Sequence, residues 1–475
     1  MDGRTTELFS RGYRAWLLTL LLLIWAFNFA DRFVIATLSQ AIKLDLGISD
    51  FQIGLLQGLG FAVLYTALGL PIARLAERKS RILLIAGSMA VWSATVAAGG
   101  LARSFAQLML ARIGVGAGDA GFMTPVGSLL GDHYPPARRA SAWSIINLAS
   151  PIGSLVGAVL GGWIAQHYGW RTALVAVGLP GSVLALLAAT TLREPPRGHA
   201  EGGLAADAVL PSTLEVFRTL FAKPAFRQVL IAAGLTALGM NGIGQFLFTF
   251  FVRTYHMGFA EAGLRFGLVS FFSLSAGLLL GGFGGDRLVR RDERWHAWGS
   301  AIGVVCAGPL YMIAFLQVDP LPATILIMVA AIFLFLFYAP TAAMIQNMAT
   351  PLSRASAGYI YAFVLGVGGA GLGPTVLGLV SDLFAGHAFT LGDYRALCPN
   401  GSPPAGAAAE LADACRAASA LGLRNAVMTA AGCFLWGGLH FLLAARTLRA
   451  DMHRAAAPAA AMETVPAAAV FSEGT

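Results

Sequence analysis

The sequence predicts an all-α membrane protein whose twelve spans form two pseudo-symmetric six-helix bundles, and three observations lead there. Apolar residues make up 57% of the 475 positions and charged residues only 12%, against about half and a quarter in soluble domains. Apolar runs near the roughly 20 residues that cross a bilayer as helix recur twelve times. The second half also repeats motifs of the first at equivalent places. Long apolar runs without alternation exclude an outer-membrane barrel.

In chain order the spans fall near 15–40, 51–73, 82–102, 104–131, 141–165, 172–192, 226–252, 262–285, 297–317, 322–348, 355–384 and 424–446. The first is read as a span and not a cleaved leader, because its middle is charged and no small-residue cleavage site follows. Residues 1–192 form an N-terminal bundle, 193–223 a linker, 224–449 a C-terminal bundle carrying an outside loop at 385–423, and 450–475 a disordered tail. In the linker, Ser212 and Glu215 have capping-box spacing, and Leu214, Phe217, Leu220 and Phe221 share one face of a short interfacial helix.

With both termini cytoplasmic, twenty-two of the 32 Lys and Arg residues fall inside, eight outside, and Arg32 and Arg112 within spans. The expected setting is a bacterial inner membrane, with the protein as a monomer. Its formal charge of +8 reflects topology and anionic lipid, not nucleic acid. Cys398 and Cys415 share the long outside loop and can pair on an oxidising face, whereas Cys306 and Cys433 lie in apolar helices.

The repeat is carried by "ARLAERKSR" (73–81) after span 2 and "GFGGDRLVRR" (282–291) after span 8. Each has a small residue, an acid-arginine pair and further basic residues. Spans 5 and 11, "SPIGSLVGAVLGGW" and "GVGGAGLGPTVLGLV", are both rich in small residues, which implies close helix contact at equivalent positions. Duplicated bundles describe secondary transporters with a midplane site.

Four ionisable residues lie deep within spans: Asp31 and Arg32 in span 1, Arg112 and Asp119 in span 4. Asn28, one helical turn before them, is close to both span-1 charges. Such residues either pair to hold helices together or face a cavity and mark a pathway, and the pathway is the stronger reading. Arg32 or Arg112 would anchor an anionic headgroup, since arginine keeps its proton. Asp119, with Asp31 next, would carry a proton: burial favours the neutral acid, a free neighbouring arginine the charged one, so substrate on the arginine switches the acid. Arg112 and Asp119 are seven apart, about 10 Å along one face, too far to bridge directly. Asp31 and Arg32 point about 100° apart, so one faces the cavity and one a neighbouring helix. In the second half Asn241, Gln245, Phe246 and Phe250 in "NGIGQFLFTFF", with "FGLVSFF" and "FLFLFY", offer an aromatic wall opposite the charged one. Lipid contact, core packing and interhelical hydrogen bonding remain open for these residues.

The loop motif resembles the G-x-L-a-D-R-x-G-R signature of the major facilitator superfamily, so the bundles are expected in the major facilitator fold. "NFADR" (28–32), "GLPIARLAERKSR" (69–81), "LARIGVGAGDAGF" (110–122), "GDHYPPARRASAWSI" (131–145) and "TLREPPR" (191–197) further resemble the bacterial spinster-like branch. Departures are Glu77 for Asp, Ser80 for Gly and Asp119 for Glu. The resemblance implies proton-coupled alternating access for lysophospholipid or a related anionic amphiphile. It also implies gating roles for Glu77, Arg78, Arg81, Asp286 and Arg287, with Glu77 meeting span 11 and Asp286 meeting span 5. A symporter of small organic anions such as sugar acids, a hydrophobic-drug exporter and a non-transporting sensor are the other readings. Neither an enzyme, a cofactor nor a metal is expected: no nucleotide loop follows a strand and the histidines are scattered.

Overall fold

The computed structural model describes residues 9–134, 136–195, 213–350, 353–401, 403–404 and 406–463. The described residues are almost wholly helical and contain no strand. Ten of their helical stretches are long and apolar enough to cross a membrane. Twelve spans follow once two breaks are counted.

Spans 1, 2 and 3 are Arg11–Leu46, Asp50–Gln57 with Leu59–Arg78, and Arg81–Gly99. Span 4 is broken into Phe105–Asp119 and Met123–His133, each too short to cross alone. Spans 5 and 6 share Ala149–Thr191, 43 residues that would reach about 65 Å as one helix, but Gly169 at φ 83° and ψ 163° breaks them apart. The linker contributes the helix Thr213–Phe221, whose Phe221 packs on Phe226 of span 7. Ser212, the expected cap, lies outside the described residues.

The second half runs through span 7 (Pro224–Tyr255) and span 8 (Phe259–Leu279, extended by a π-helical turn and Gly285–Val289). Span 9 is Trp295–Phe315. Span 10 is split into Pro320–Phe335 and Tyr338–Asn347. Span 11 comprises Arg354–Phe363, a π-helical stretch Val364–Gly371 and Leu372–Ala388. Span 12 is the helix Ala409–Glu463. The expected loop to 423 is therefore helical from Ala409, and the expected disordered tail is helical through Glu463. Both stretches are dominated by alanine, the strongest helix former.

Spans 1–6 pack among themselves, as do spans 7–12, and the halves meet chiefly along two seams, span 5 on span 8 and span 2 on span 11, with a smaller contact between spans 1 and 7. Glycine makes each seam close. A Cβ on Gly54 would sit 2.2 Å from the Pro374 carbonyl oxygen of span 11, and one on Gly162 would sit 2.4 Å from that of Phe259. The small-residue spans 5 and 11 thus each lie on a seam with the opposite half.

Arg81, from the first loop motif, is fully buried and bonds to Asp132 of span 4, to Glu194 after span 6 at 2.5 Å and to the Pro195 carbonyl. Its partners belong to its own half, so it binds the ends of spans 3, 4 and 6 together. Burial pushes Glu194 up, but bonds from Arg81, Ser80 and the Ile82 N–H outweigh it and hold the carboxyl below the usual 4.5. A lowered acid stabilises above its unfolded pKa, and that contribution is lost as pH falls through the folded value. Protection factors of the amides at residues 80–84, taken relative to intrinsic exchange at each pH, are therefore expected to fall as pH drops below about 4, and Glu194→Gln is expected to flatten that dependence.

Cys398 and Cys415 are joined as a disulfide between spans 11 and 12, while Cys306 and Cys433 are free. Thiol titration of the denatured, unreduced protein is expected to count two reactive cysteines, and four after reduction.

Candidate functional site

Span 4 carries two of the buried charges, and the way it is seated fixes their position. A Cβ on Gly116 would lie 2.2 Å from the Phe61 carbonyl oxygen of span 2, and one on Gly118 would lie 2.6 Å from the Trp92 nitrogen of span 3. Glycine alone permits that approach, which explains the small residues of "GVGAGDAG". The helix then stops at Asp119, and Ala120–Phe122 form a turn before it resumes.

The four charges form two pairs crossing between spans 1 and 4. Arg112 donates to Asp31 at 3.1 Å and to the Leu56 carbonyl at 3.3 Å. Asp119 accepts from both Arg32 and Asn28, one carboxylate oxygen each. The side chains of Asp31, Arg112 and Asp119 are 1%, 5% and 4% exposed, whereas Arg32 is 32% exposed. Arg32 is therefore the charge that faces open space, and Asp31 the one that faces span 4. Arg112, expected as a headgroup anchor, is sealed in against Asp31.

Rings surround the exposed guanidinium. Arg32 lies 4.7 Å from the Phe61 ring centroid, 5.6 Å from Phe29 and 5.9 Å from Tyr65. Phe61 also carries Arg112 at 5.9 Å, so one ring separates the two cations and attracts both. Across the molecule Tyr338, 40% exposed, lies within electrostatic reach of Arg32. It opens the second segment of span 10, which is broken between Phe335 and Tyr338. Spans 4 and 10 occupy equivalent places in the two halves, and both are interrupted beside this space, one at Asp119 and one at Tyr338. Paired interrupted helices mark transporter binding sites.

The remaining expected residues are placed differently. Asn241 donates to Ala237 of its own span, and the Gln245 Oε1 is buried with no hydrogen-bond partner among the described residues. Phe246 and Phe250 have no exposed surface, and Phe250 packs on Phe315 and Tyr255 inside the second half, so neither lines an open cavity in this conformation. Arg78 and Arg287 are exposed. The side chains of Glu77 and Asp286 lie outside the described residues.

A second cluster escaped the sequence reading. Asp50, at the start of span 2, is buried and accepts from both outer nitrogens of Arg253 in span 7, at 2.6 and 2.7 Å. Lys43 donates to it at 2.6 Å and Ser381 of span 11 at 2.7 Å. Asp382 caps span 2, accepting from the Asp50 and Phe51 N–H groups at 3.1 and 2.8 Å, an anion against a helix N-terminus. Ser39 and Thr249 join spans 1 and 7 at 2.7 Å. All these bonds tie one half to the other or support a residue that does, at the end which the basic-residue count places outside.

Comparison with known proteins places this geometry. Residues 20–374 match the family model of the Major Facilitator Superfamily. The chain belongs to the Major Facilitator Superfamily. Its structure is similar, with TM-score 0.84 and 30% identity, to a bacterial homolog of the human lysosomal transporter Spinster in an inward-facing, unoccupied conformation, covering 93% of this chain and 99% of that one. A facilitator-type efflux pump of Mycolicibacterium smegmatis is 32% identical over 78% of this chain and 85% of its own. The hexuronate transporter of Bacillus subtilis is 24% identical over 76% of this chain and 86% of its own. As a member of this superfamily the chain is a membrane transporter, and the Asp50 cluster ties its two halves together at one end.

Two outcomes are expected. Asp31→Ala strands the buried Arg112 and should lower stability by about 3–5 kcal/mol, much of it regained in Asp31→Ala with Arg112→Leu, read by thermal unfolding in detergent. Asp50→Asn or Arg253→Gln should lengthen spin-label distances between the outer ends of spans 2 and 11, while Arg395→Gln leaves them unchanged.

Proposed function

We propose that the protein moves lysophospholipid or a related anionic amphiphile by proton-coupled alternating access. The observation that carries this reading is the Arg32–Asp119 pair, the one member of the buried charge group that is open to solvent being a permanent cation. An incoming anionic headgroup competes with the Asp119 carboxylate for Arg32. As the headgroup binds, Asp119 loses its counter-ion while remaining buried, and it takes up a proton, because an unpaired buried carboxylate is far costlier than a neutral acid. Leaving substrate returns Arg32 to Asp119, and the proton departs. Asn28 holds the acid toward span 1 throughout, and Arg112 with Asp31 braces the helices that carry the pair. Asp31 has one buried oxygen without a partner among the described residues, which makes it the next candidate for a proton.

An amphiphile suits the surroundings because the guanidinium is collared by Phe29, Phe61 and Tyr65 and faces Tyr338, so headgroup and hydrocarbon have adjoining walls. The bonds of the Asp50 cluster support a state closed outside, with the loop motifs of Glu77 and Asp286 acting in the opposite state. A small organic anion is the second reading, favoured by the likeness to the hexuronate transporter.

In proteoliposomes with an imposed pH gradient, uptake of lysophosphatidylglycerol, and not of glucuronate, is expected. Asp119→Asn should abolish uptake driven by the gradient while leaving counterflow exchange within about threefold, because the neutral amide mimics the protonated acid. Arg32→Gln should weaken headgroup binding tenfold or more, about 1.4 kcal/mol. Gradient-driven uptake by Asp119→Asn at the native rate would remove the coupling role, and uptake of glucuronate alone would replace the lipid with the second reading.

A further inference from the structure

A strap from the second half reaches across to the first without belonging to either seam. Residues 389–401 leave span 11 and carry the short helix Tyr394–Leu397 and the turn Pro399–Gly401. At Gly401, φ 77°, the backbone comes up against Lys43: a Cβ there would lie 2.8 Å from the Lys43 Nζ and 3.0 Å from the Tyr394 hydroxyl oxygen. Lys43 belongs to span 1 and is the lysine that donates to Asp50 at 2.6 Å. Tyr394 is buried beside the same cluster. Burial pushes its phenol up to about 12, with Asp50 adding to the rise and Arg253 opposing it, so it stays neutral there.

The strap is held from behind by bonds that stay within the second half. Cys398 lies between the two residues that approach Lys43. Its N–H donates to the Tyr394 carbonyl at 2.8 Å, and the Gly401 N–H donates to the Cys398 carbonyl at 2.8 Å. The disulfide to Cys415 fastens this turn to span 12. Both cysteines are fully buried in a small apolar cluster with Ala385, Phe389, Tyr394 and Ala418, apart from the main core.

We propose that the strap is a latch on the Asp50 closure, with the Cys398–Cys415 bond positioning Tyr394 and Gly401 over Lys43. This rests on the reading of the Asp50 cluster as a state closed at that end. The disulfide and its apolar cluster lie within one half, so they persist in every state. The approach to Lys43 spans both halves, so parting of the halves at this end breaks it. A contact made in one state only shifts the population toward that state. A strap already fixed by the disulfide loses little freedom on closing, whereas a loosened one must be ordered each time. The bond therefore favours closure, beyond the general stabilisation that a cross-link gives a fold.

The test uses the full chain in nanodiscs, without substrate, and nitroxides on a keto amino acid at Leu101 and Val318. Both positions are exposed, one in each half at this end, and no thiol is used. Electron–electron resonance should show that Cys398→Ala with Cys415→Ala raises the share of the longer distance about threefold or more. Gly401→Ala keeps the bond but sets a methyl against a lysine held by Asp50, and should raise that share about twofold or more. Arg395→Gln, at an exposed side chain of the strap, should leave it unchanged. A bond that only stabilised the fold would lower the melting temperature and leave the distances alone, and that outcome would overturn the inference. Gly401→Ala decides the matter if the cysteine variant is not monodisperse. Asp50→Asn separates the latch from the reading beneath it. A shift in Asp50→Asn without one in the strap variants removes the latch and keeps the closure; a shift in the strap variants alone keeps the strap as a closing contact and removes the role given to Asp50.

Discussion

Four charges inside a bundle that crosses a bilayer persist because each is met by an opposite charge from the facing helix. Arg112 with Asp31 and Arg32 with Asp119 cross between spans 1 and 4, and the rest of the first half is arranged to keep them together. Glycines 116 and 118 let span 4 lie against spans 2 and 3 at backbone distance, and the helix break at Asp119 frees its carboxylate to meet a side chain from span 1. Desolvating such ions costs several kcal/mol each, which their mutual attraction repays only when the geometry holds. The two pairs are not equivalent. One is sealed on both sides, while the other has a partly exposed member, Arg32, and the proposed mechanism takes the first as a brace and the second as the pair that changes partners.

That asymmetry links the site to the movement of the halves. The seams between them, span 5 on span 8 and span 2 on span 11, are lined by glycine, so the contact is backbone against backbone and can slide without repacking large side chains. What holds the halves together at the Asp50 end is polar and local: a bidentate arginine-carboxylate pair, a lysine and a helix cap from Asp382. Polar bonds of this kind are strong when dry and replaceable by water when opened, which suits a closure that must release.

Much of the fold was legible in the sequence. Apolar length marked all twelve spans, and span 4 was found although its two segments are each too short to cross, because hydropathy does not register a break. The repeated loop motifs and the small residues of spans 5 and 11 pointed to the duplicated halves and to the helices at the seams. The four buried charges stood out because ionised groups are rare in lipid-spanning helix. That they pair between helices was one of two readings, but which charge meets which was not legible, since helical spacing relates residues on one helix and these bonds join two. Asp50 and Arg253 were hidden for a different reason: charges at span ends are common, and only the meeting of spans 2 and 7 makes them partners. Phe246 and Phe250 misled because an aromatic run reads alike in a core and in a cavity wall. The helix before span 12 was not legible from hydropathy, because Glu410, Asp413 and Arg416 interrupt the apolar run there while leaving the alanine-rich stretch able to form helix.

A double-mutant cycle on Arg32→Gln and Asp119→Asn, read as thermal stability without substrate, tests most directly whether the two residues form the exchangeable pair on which the proposed mechanism rests. If Arg32 and Asp119 act as one unit, the interaction energy is about 1–3 kcal/mol. Stability losses that simply add would show that the two residues stand separately and contradict the exchange of partners.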